Sequence, residues 1–413
     1  MPTSMKEEPA PSLGRRLGLP SLEGRGNYVA STVIDSLAHG LVFAFLLVYF
    51  DRVTELGLET IGLALSAGRF LALPVPAVIG PLMDRFGSKT VVVASNVVSC
   101  LGMVVCAFAM DAWHIAVTQL LVQTGTNMYW TCSRDLVGIA SRGEQRSRWF
   151  GLQNALRNVG AGFGAAVAAG ALALLGTTGL RGVIVVSAVS FVVAGALLLA
   201  WRIETPPRIE DEGDEAPSRV SYLTVFKDTR YVSLLAVNLV FVFAAMALPV
   251  LVAIWTIDYV RAGAWWAGAL IVLNTAMAAL LSTVVVSRTE QRRKHRLVQS
   301  ALAVNAAAFA MFALAYWLPT IPAMSVLLAA MLLYTLGEIV GTPYMNELTV
   351  TLTPQTGAGR YHAAFQLSWS LGMAVAPALF TTLLTAGPML PWVFLGAASI
   401  LVLPLAQRLR AAS

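Results

Sequence analysis

Along most of the chain, apolar residues run in long uninterrupted blocks, cut by short polar stretches that hold glycine, proline or charge. Blocks of this length predict membrane-spanning helices, since about 20 residues rising 1.5 Å each cross the hydrocarbon core of a bilayer. A transmembrane barrel would show alternating apolar and polar positions instead. Read in order, the blocks predict twelve spans: Tyr28–Phe50, Leu58–Leu82, Thr90–Met110, Trp113–Val137, Trp149–Leu175, Gly182–Trp201, Tyr231–Ile257, Ala264–Ser287, Leu297–Trp317, Pro319–Tyr344, Tyr361–Leu384 and Leu390–Leu409. Residues 1–27 form a polar tail with no apolar core, which predicts no cleaved signal peptide. Residues 202–230 form the long polar linker, with six acidic residues between Glu204 and Glu215 and prolines at 206, 207 and 217. Its acidic start predicts disorder, and Val220–Thr229 is expected to lie as a short helix on the membrane surface. The linker divides the chain into six-span halves, 28–201 and 231–413.

Composition agrees with this pattern. Of the 413 residues 57% are hydrophobic and 12% charged, about half the charge of a soluble domain. The net charge of +6 invites a nucleic-acid partner until the basic residues are placed. Of the 28 lysines and arginines, 22 fall in the tail, the linker and the loops on one side of the membrane. Three (Arg52, Arg181, Arg261) fall on the other side and three (Arg69, Arg134, Arg157) within spans. Positively charged loops stay cytoplasmic, so a multi-pass protein of the cell membrane with both termini cytoplasmic is expected, and no nucleic acid. The cysteines Cys100, Cys106 and Cys132 lie in apolar blocks and read as small buried residues, with no disulfide frame and no metal site.

Between spans 2 and 3 stands Gly80-Pro-Leu-Met-Asp84-Arg85-Phe-Gly87-Ser88-Lys89, expected to be a tight charged turn. The spacing G-x-x-x-D-R-x-G-x-K resembles the signature loop of the major facilitator superfamily, although that family usually has arginine where Ser88 stands. The resemblance covers residues 28–409. It implies an all-α fold of twelve transmembrane helices in two pseudo-symmetric halves, monomeric, with a central cavity open to one side at a time. An internal repeat supports the halves: Arg148–Val167 aligns with Arg360–Leu379 at an offset of 212, and the same offset sets Asp135 over Glu347. The resemblance further implies that Asp84, Asp135 and the basic end of the loop form a charge network gating the cytoplasmic side.

In span 5, Gly151, Gly160 and Gly164 resemble the antiporter signature of the superfamily's drug/proton exporters, without its proline. Small residues at this spacing also serve close helix packing. Charges inside the membrane are more informative, because each costs on the order of 3 kcal/mol unless paired or hydrated. Counted along the helices, Asp35, Arg157 and Glu338 lie roughly 12–14 Å from the cytoplasmic ends, and Arg69 roughly 20 Å. In this superfamily spans 1, 4, 7 and 10 line the cavity, which implies that Asp35 and Glu338 face it from opposite halves. A carboxylate that meets water in one state and apolar wall in the other can carry a proton across. Glu338 and Asp35 are therefore the proton-coupling candidates, with structural pairing as the alternative. For Asp35 the pairing partner would be Arg157 or Arg69; His39, four residues on, shares its face. Relatives often carry an arginine near Gln123 in span 4, so the usual proton route is in doubt and weight shifts to the two acids. Arg157, Asn127, Tyr129, Trp130, Asn238, Trp255, Tyr334 and Arg69 are candidate cavity residues, set against packing or lipid contact. Trp113, Trp265, Trp266, Trp317 and Trp392 read as interface anchors.

These readings favour export of small amphipathic drug-like molecules by proton antiport. The alternative is another solute (sugar, peptide, amino acid or lipid), exported or imported on the same scaffold. No cofactor is expected: the phosphate-binding pattern G-x4-G-K-[ST] is absent, so the proton gradient would supply the energy. No nucleophile–base constellation marks an enzyme.

Overall fold

A computed structural model of the chain describes residues 19–43, 46–141, 146–202 and 221–410. The acidic stretch Glu204–Glu215 and its prolines lie outside the described residues. Among the described residues each of the twelve predicted spans is helical, and the departures from straight rods sit at proline and glycine. Span 2 is two helices, Leu58–Leu71 and Val75–Phe86, bent by 42°. Pro74 and Pro76 remove two backbone donors at this break. The Asn127 amide of span 4 donates to the Ala72 carbonyl there, at 3.0 Å. An irregular backbone within membrane depth has to be satisfied by such a neighbour. Span 7, Thr229–Ala247, continues through two wider turns, Leu248–Val252 and Trp255–Tyr259, the first containing Pro249. Spans 5 and 6 form one helical stretch, Arg146–Ala200, broken at Gly176 with φ 59° and ψ −137°.

Two expectations are corrected. The segment Gly80–Lys89 is not a ten-residue turn: span 2 stays helical to Phe86 and span 3, Ser88–Ala107, starts at once. The whole reversal rests on Gly87, whose φ of 77° and ψ of 153° suit glycine alone. Span 10 does not stop near Tyr344 but runs Thr320–Leu352, through Pro343. The short linker helix is present as Tyr222–Lys227, capped by Ser221. Burial pushes the Tyr222 phenol up to about 12, so at neutral pH it keeps its proton and donates to the Ala77 carbonyl of span 2.

The turns at Gly87, at 290–293 and around 353–357 define one end of the bundle, called here the basic end. The opposite, far end carries the turns at 108–111, Gly176 and 318–319. Contact between the halves runs through span 2 on span 11 and span 5 on span 8, with spans 4 and 5 touching span 10. It is tightest at the basic end. A Cβ added to Gly80 would lie 2.9 Å from the Gly359 carbonyl, and one on Gly151 would lie 3.2 Å from Val286. Among the described residues, side-chain hydrogen bonds between halves reach from the basic end no further than Asn127–Ser370 and Asn154–Ser282. The halves are therefore clamped at the basic end and parted towards the far end.

Candidate functional site

Between the halves lies a cavity of about 330 Å³, walled by spans 1, 4, 5, 7, 10 and 11 with Asn305 from span 9. Of the predicted cavity residues, Trp130, Arg157, Asn238 and Tyr334 line it, as does Glu338. Carboxamides make up much of its polar wall: Gln153, Asn154, Asn158, Asn238, Asn346 and Gln366.

Glu338 reaches the cavity from span 10. Its Oε2 accepts one hydrogen bond, from Asn274 Nδ2 of span 8 at 2.8 Å, and Asn274 also donates to Thr335 Oγ1 at 3.1 Å. Among the described residues no cation pairs with this carboxylate. Asp35 is in the opposite situation. It is 2% exposed and does not line the cavity, and Arg157 Nη1 donates to its Oδ2 at 3.0 Å. His39 Nδ1 lies 3.6 Å from the same oxygen and 2.9 Å from the Asp35 carbonyl, while Nε2 is 3.3 Å from Thr126 Oγ1. Arg157 is sandwiched over the rings of Trp130 and Tyr129, at 4.5 and 4.7 Å. The equal depths read from the sequence thus become a direct ion pair, whose Arg157 faces the cavity from in front of Asp35.

Four predicted cavity residues lie elsewhere. Arg69 is exposed on the far segment of span 2, which packs by its other face, through Gly68, on span 4. Asn127 is occupied with the break in span 2. Tyr129 is 6% exposed and supports Arg157 from behind. Trp255 is 1% exposed in a core of aromatic and aliphatic side chains near the far end, donating to the Phe312 carbonyl at 2.9 Å. Trp392 is no interface anchor either: 1% exposed, it stacks on Phe312 at 4.5 Å. The exposed Trp113, Trp265 and Trp317 keep that reading.

The closure at the basic end is arranged differently from the expected network. Asp84 does not join Asp135; it crosses to the other half. Its Oδ1 accepts from the Gly359 N–H at 2.6 Å and its Oδ2 from Arg360 Nη1 at 3.0 Å. Asp135 instead accepts from Ser88 Oγ, so the serine standing in place of the family's arginine is a hydrogen-bond partner. Lys89 donates to the carbonyls of Leu199 and Trp201 at the end of span 6, and Arg85 lies over the Phe86 ring. Gly87 supplies only the turn. A second clamp repeats the first by pseudo-symmetry: Arg148, the repeat mate of Arg360, forms a two-pronged pair with Glu290 at the end of span 8. Glu347, the mate of Asp135, accepts from Ser147 at 2.6 Å with Lys294 Nζ at 3.5 Å. Sequence reasoning missed Arg148, Arg360 and Glu290 as clamp residues, although the 212-residue offset had already matched the two arginines.

Gly160 and Gly164 of the antiporter-type pattern do not line the cavity. They seat span 5 on span 1, where a Cβ would lie 2.7 Å from Ser36 Cβ and 2.5 Å from the Leu37 carbonyl respectively. Gly151 faces span 8.

A family model described as Major Facilitator Superfamily matches residues 29–377. The multidrug resistance protein MdtH of Escherichia coli (strain SE11) is 24% identical over 375 residues, covering 86% of this chain and 87% of that relative. Among solved structures, a bacterial homologue of the iron transporter ferroportin in an outward-facing state superposes with a TM-score of 0.75 at 17% identity, covering 96% of this chain and 98% of that one. The Escherichia coli fucose:proton symporter FucP gives 0.70 at 13%, covering 94% and 98%. The human organic anion transporter MFSD10 gives 0.69 at 15%, covering 96% and 100%. Helix order, duplicated halves, central cavity and family match agree, and the chain belongs to the Major Facilitator Superfamily, as a multi-pass membrane transporter and not an enzyme.

Proposed function

We propose that this transporter exports small amphipathic drug-like molecules in exchange for protons. The basic end is assigned to the cytoplasm because it carries most of the lysines and arginines. With that assignment the structure is closed to the cytoplasm and open outwards. The observation that carries the coupling is Glu338, a carboxylate in a membrane-depth cavity wall with one amide donor and, among the described residues, no cation. Water in the open cavity supports its charge; enclosure against apolar wall favours its protonated form. Proton uptake from outside and release inside would then reset the carrier after each export step. Trp130, Phe241, Phe365 and Trp369 give the cavity the flat apolar surface that an amphipathic substrate needs. The similarity to MdtH supports the drug-efflux reading.

A second reading, transport of a polar uncharged solute such as a sugar, is favoured by the carboxamides in the wall. Proteoliposomes loaded with a pH-sensitive dye separate the two. Adding a panel of lipophilic amines is expected to move protons, and Glu338→Gln is expected to abolish the movement while inserting normally. Proton flux on adding neutral sugars and not amines would establish the second reading. Undiminished uphill amine transport by Glu338→Gln would remove Glu338 from the coupling role.

A further inference from the structure

The cavity floor carries a positive charge that no acid answers among the described residues. Arg134 of span 4 is 4% exposed and lines the cavity at its basic end. Its Nε–H donates to Asn346 Oδ1 of span 10 at 2.9 Å, and Nη1 and Nη2 donate to Gln366 Oε1 of span 11, each at 3.4 Å. Nη1 also donates to the Trp130 carbonyl, and the guanidinium carbon lies 4.4 Å from the Phe365 ring centroid. All these acceptors are neutral. The two nearest acids along the chains are engaged elsewhere, Asp135 with Ser88 and Glu347 with Ser147 and Lys294. Among the described residues Arg134 has no carboxylate partner.

Glu338 is the mirror case, an acid in the same cavity with no cation partner among the described residues. Span 10 links the two positions. Asn346, which holds Arg134, lies eight residues along the helix from Glu338, a rise of about 12 Å. The wall of the same cavity is aromatic at Trp130, Phe241 and Trp369.

We infer that the cavity is built for an amphipathic zwitterion: an aromatic body with an amine directed at Glu338 and a carboxylate directed at Arg134, on the order of 10 Å apart. This rests on reading the cavity as the substrate site, and it is independent of transport direction and of proton coupling. A zwitterion gives both wall charges a counter-ion and adds no net charge to a compartment that must close. A monocation leaves Arg134 unanswered, and a monoanion leaves Glu338 so. The guanidinium fork suits a carboxylate, whose two oxygens can displace the weak 3.4 Å contacts to Gln366.

The probe is a biphenyl with an aminomethyl group at one end and a carboxylate at the other, compared with its methyl ester and its N-acetyl derivative. Isothermal titration calorimetry of the full chain in nanodiscs is expected to show both derivatives binding about tenfold more weakly than the zwitterion, the scale of one charged hydrogen-bonded contact. In Arg134→Gln the zwitterion and its ester should bind alike, while the N-acetyl penalty persists. In Glu338→Gln the pattern should reverse. Equal binding of zwitterion and ester to the wild type overturns the inference, and this comparison stands whether or not the variants fold. Equal weakening of all three ligands by Arg134→Gln overturns it as well. Proton-coupled amine export without any preference for the acid would sink this inference and leave the export reading standing; the preference without proton flux would do the reverse.

Discussion

Two carboxylates within the spans of this membrane protein have opposite surroundings. Asp35 is enclosed and paired with Arg157, which is itself held between two aromatic rings. Removing one partner of such a pair leaves a buried charge alone, at about 3–5 kcal/mol, whereas removing both often costs little. Asp35→Asn is therefore expected to lower stability by that amount and Asp35→Asn with Arg157→Gln to recover most of it, read as thermal unfolding midpoints in detergent. A single variant as stable as the wild type would show that the pair contributes nothing to the fold. Glu338→Gln should behave differently. Its amide oxygen can still accept from Asn274, and no cation loses a partner among the described residues, so the expected stability change is within about 1 kcal/mol. The same assay run on both sites thus separates a structural acid from one free to titrate.

At the scale of elements, spans 1 and 5 meet backbone to backbone. Gly160 and Gly164 face Ser36 and the Leu37 carbonyl, and Gly40 faces Ala161 in return. A larger residue at Gly164 has no room, so Gly164→Val should cost about 1–3 kcal/mol or the folded state altogether. Gly162, two residues away, has nothing within 4 Å of an added Cβ, so Gly162→Ala should be harmless. Yield of monodisperse protein on size exclusion compares the two; equal yields would show that spans 1 and 5 can separate freely. These glycines resemble an antiporter signature, and what they touch is the neighbouring helix. Span 5, seated by them, presents Arg157 and Asn158 to the cavity.

At the scale of the whole molecule, two pseudo-equivalent clamps, Asp84–Arg360 and Glu290–Arg148, hold the basic end closed. Each joins the end of one span to the start of another across the halves, so opening that end must break both. Losing one clamp is expected to shift the balance of open and closed states by about tenfold, equivalent to 1.4 kcal/mol. Spin labels on Asp111→Cys and Trp317→Cys, both exposed at the far end, report this by pulsed resonance. Asp84→Asn with Glu290→Gln should shorten the distance between them as the far end closes. An unchanged distance distribution would show that the clamps do not set the state. Asp84→Asn alone should slow turnover and leave substrate affinity unchanged, since it lies outside the cavity wall.

The amino-acid sequence determined the number of helical spans, the rough place of most turns, which residues are charged within spans and that the two halves repeat. Those properties follow from the local count of apolar residues, from the helical rise and from Gly87, each a matter of a few neighbours along the chain. It did not determine which way each side chain faces. Helices that are apolar on every side carry little periodicity, so sequence reasoning placed Trp255 and Arg69 in the cavity and treated Trp392 as an anchor. The bundle put the two tryptophans in its core and left Arg69 exposed, off the cavity lining. An Asp35–Arg157 pair stood in the sequence only as one alternative, beside Arg69 as partner and beside proton coupling. Depth along a helix does not say which way a side chain faces; packing chose Arg157. Asp84–Arg360 was not legible, because those residues lie 276 apart in different halves and their contact depends on how the halves pack. The same holds for Arg134: that no described acid pairs with it is a property of three helices from two halves, and only their packing decides it.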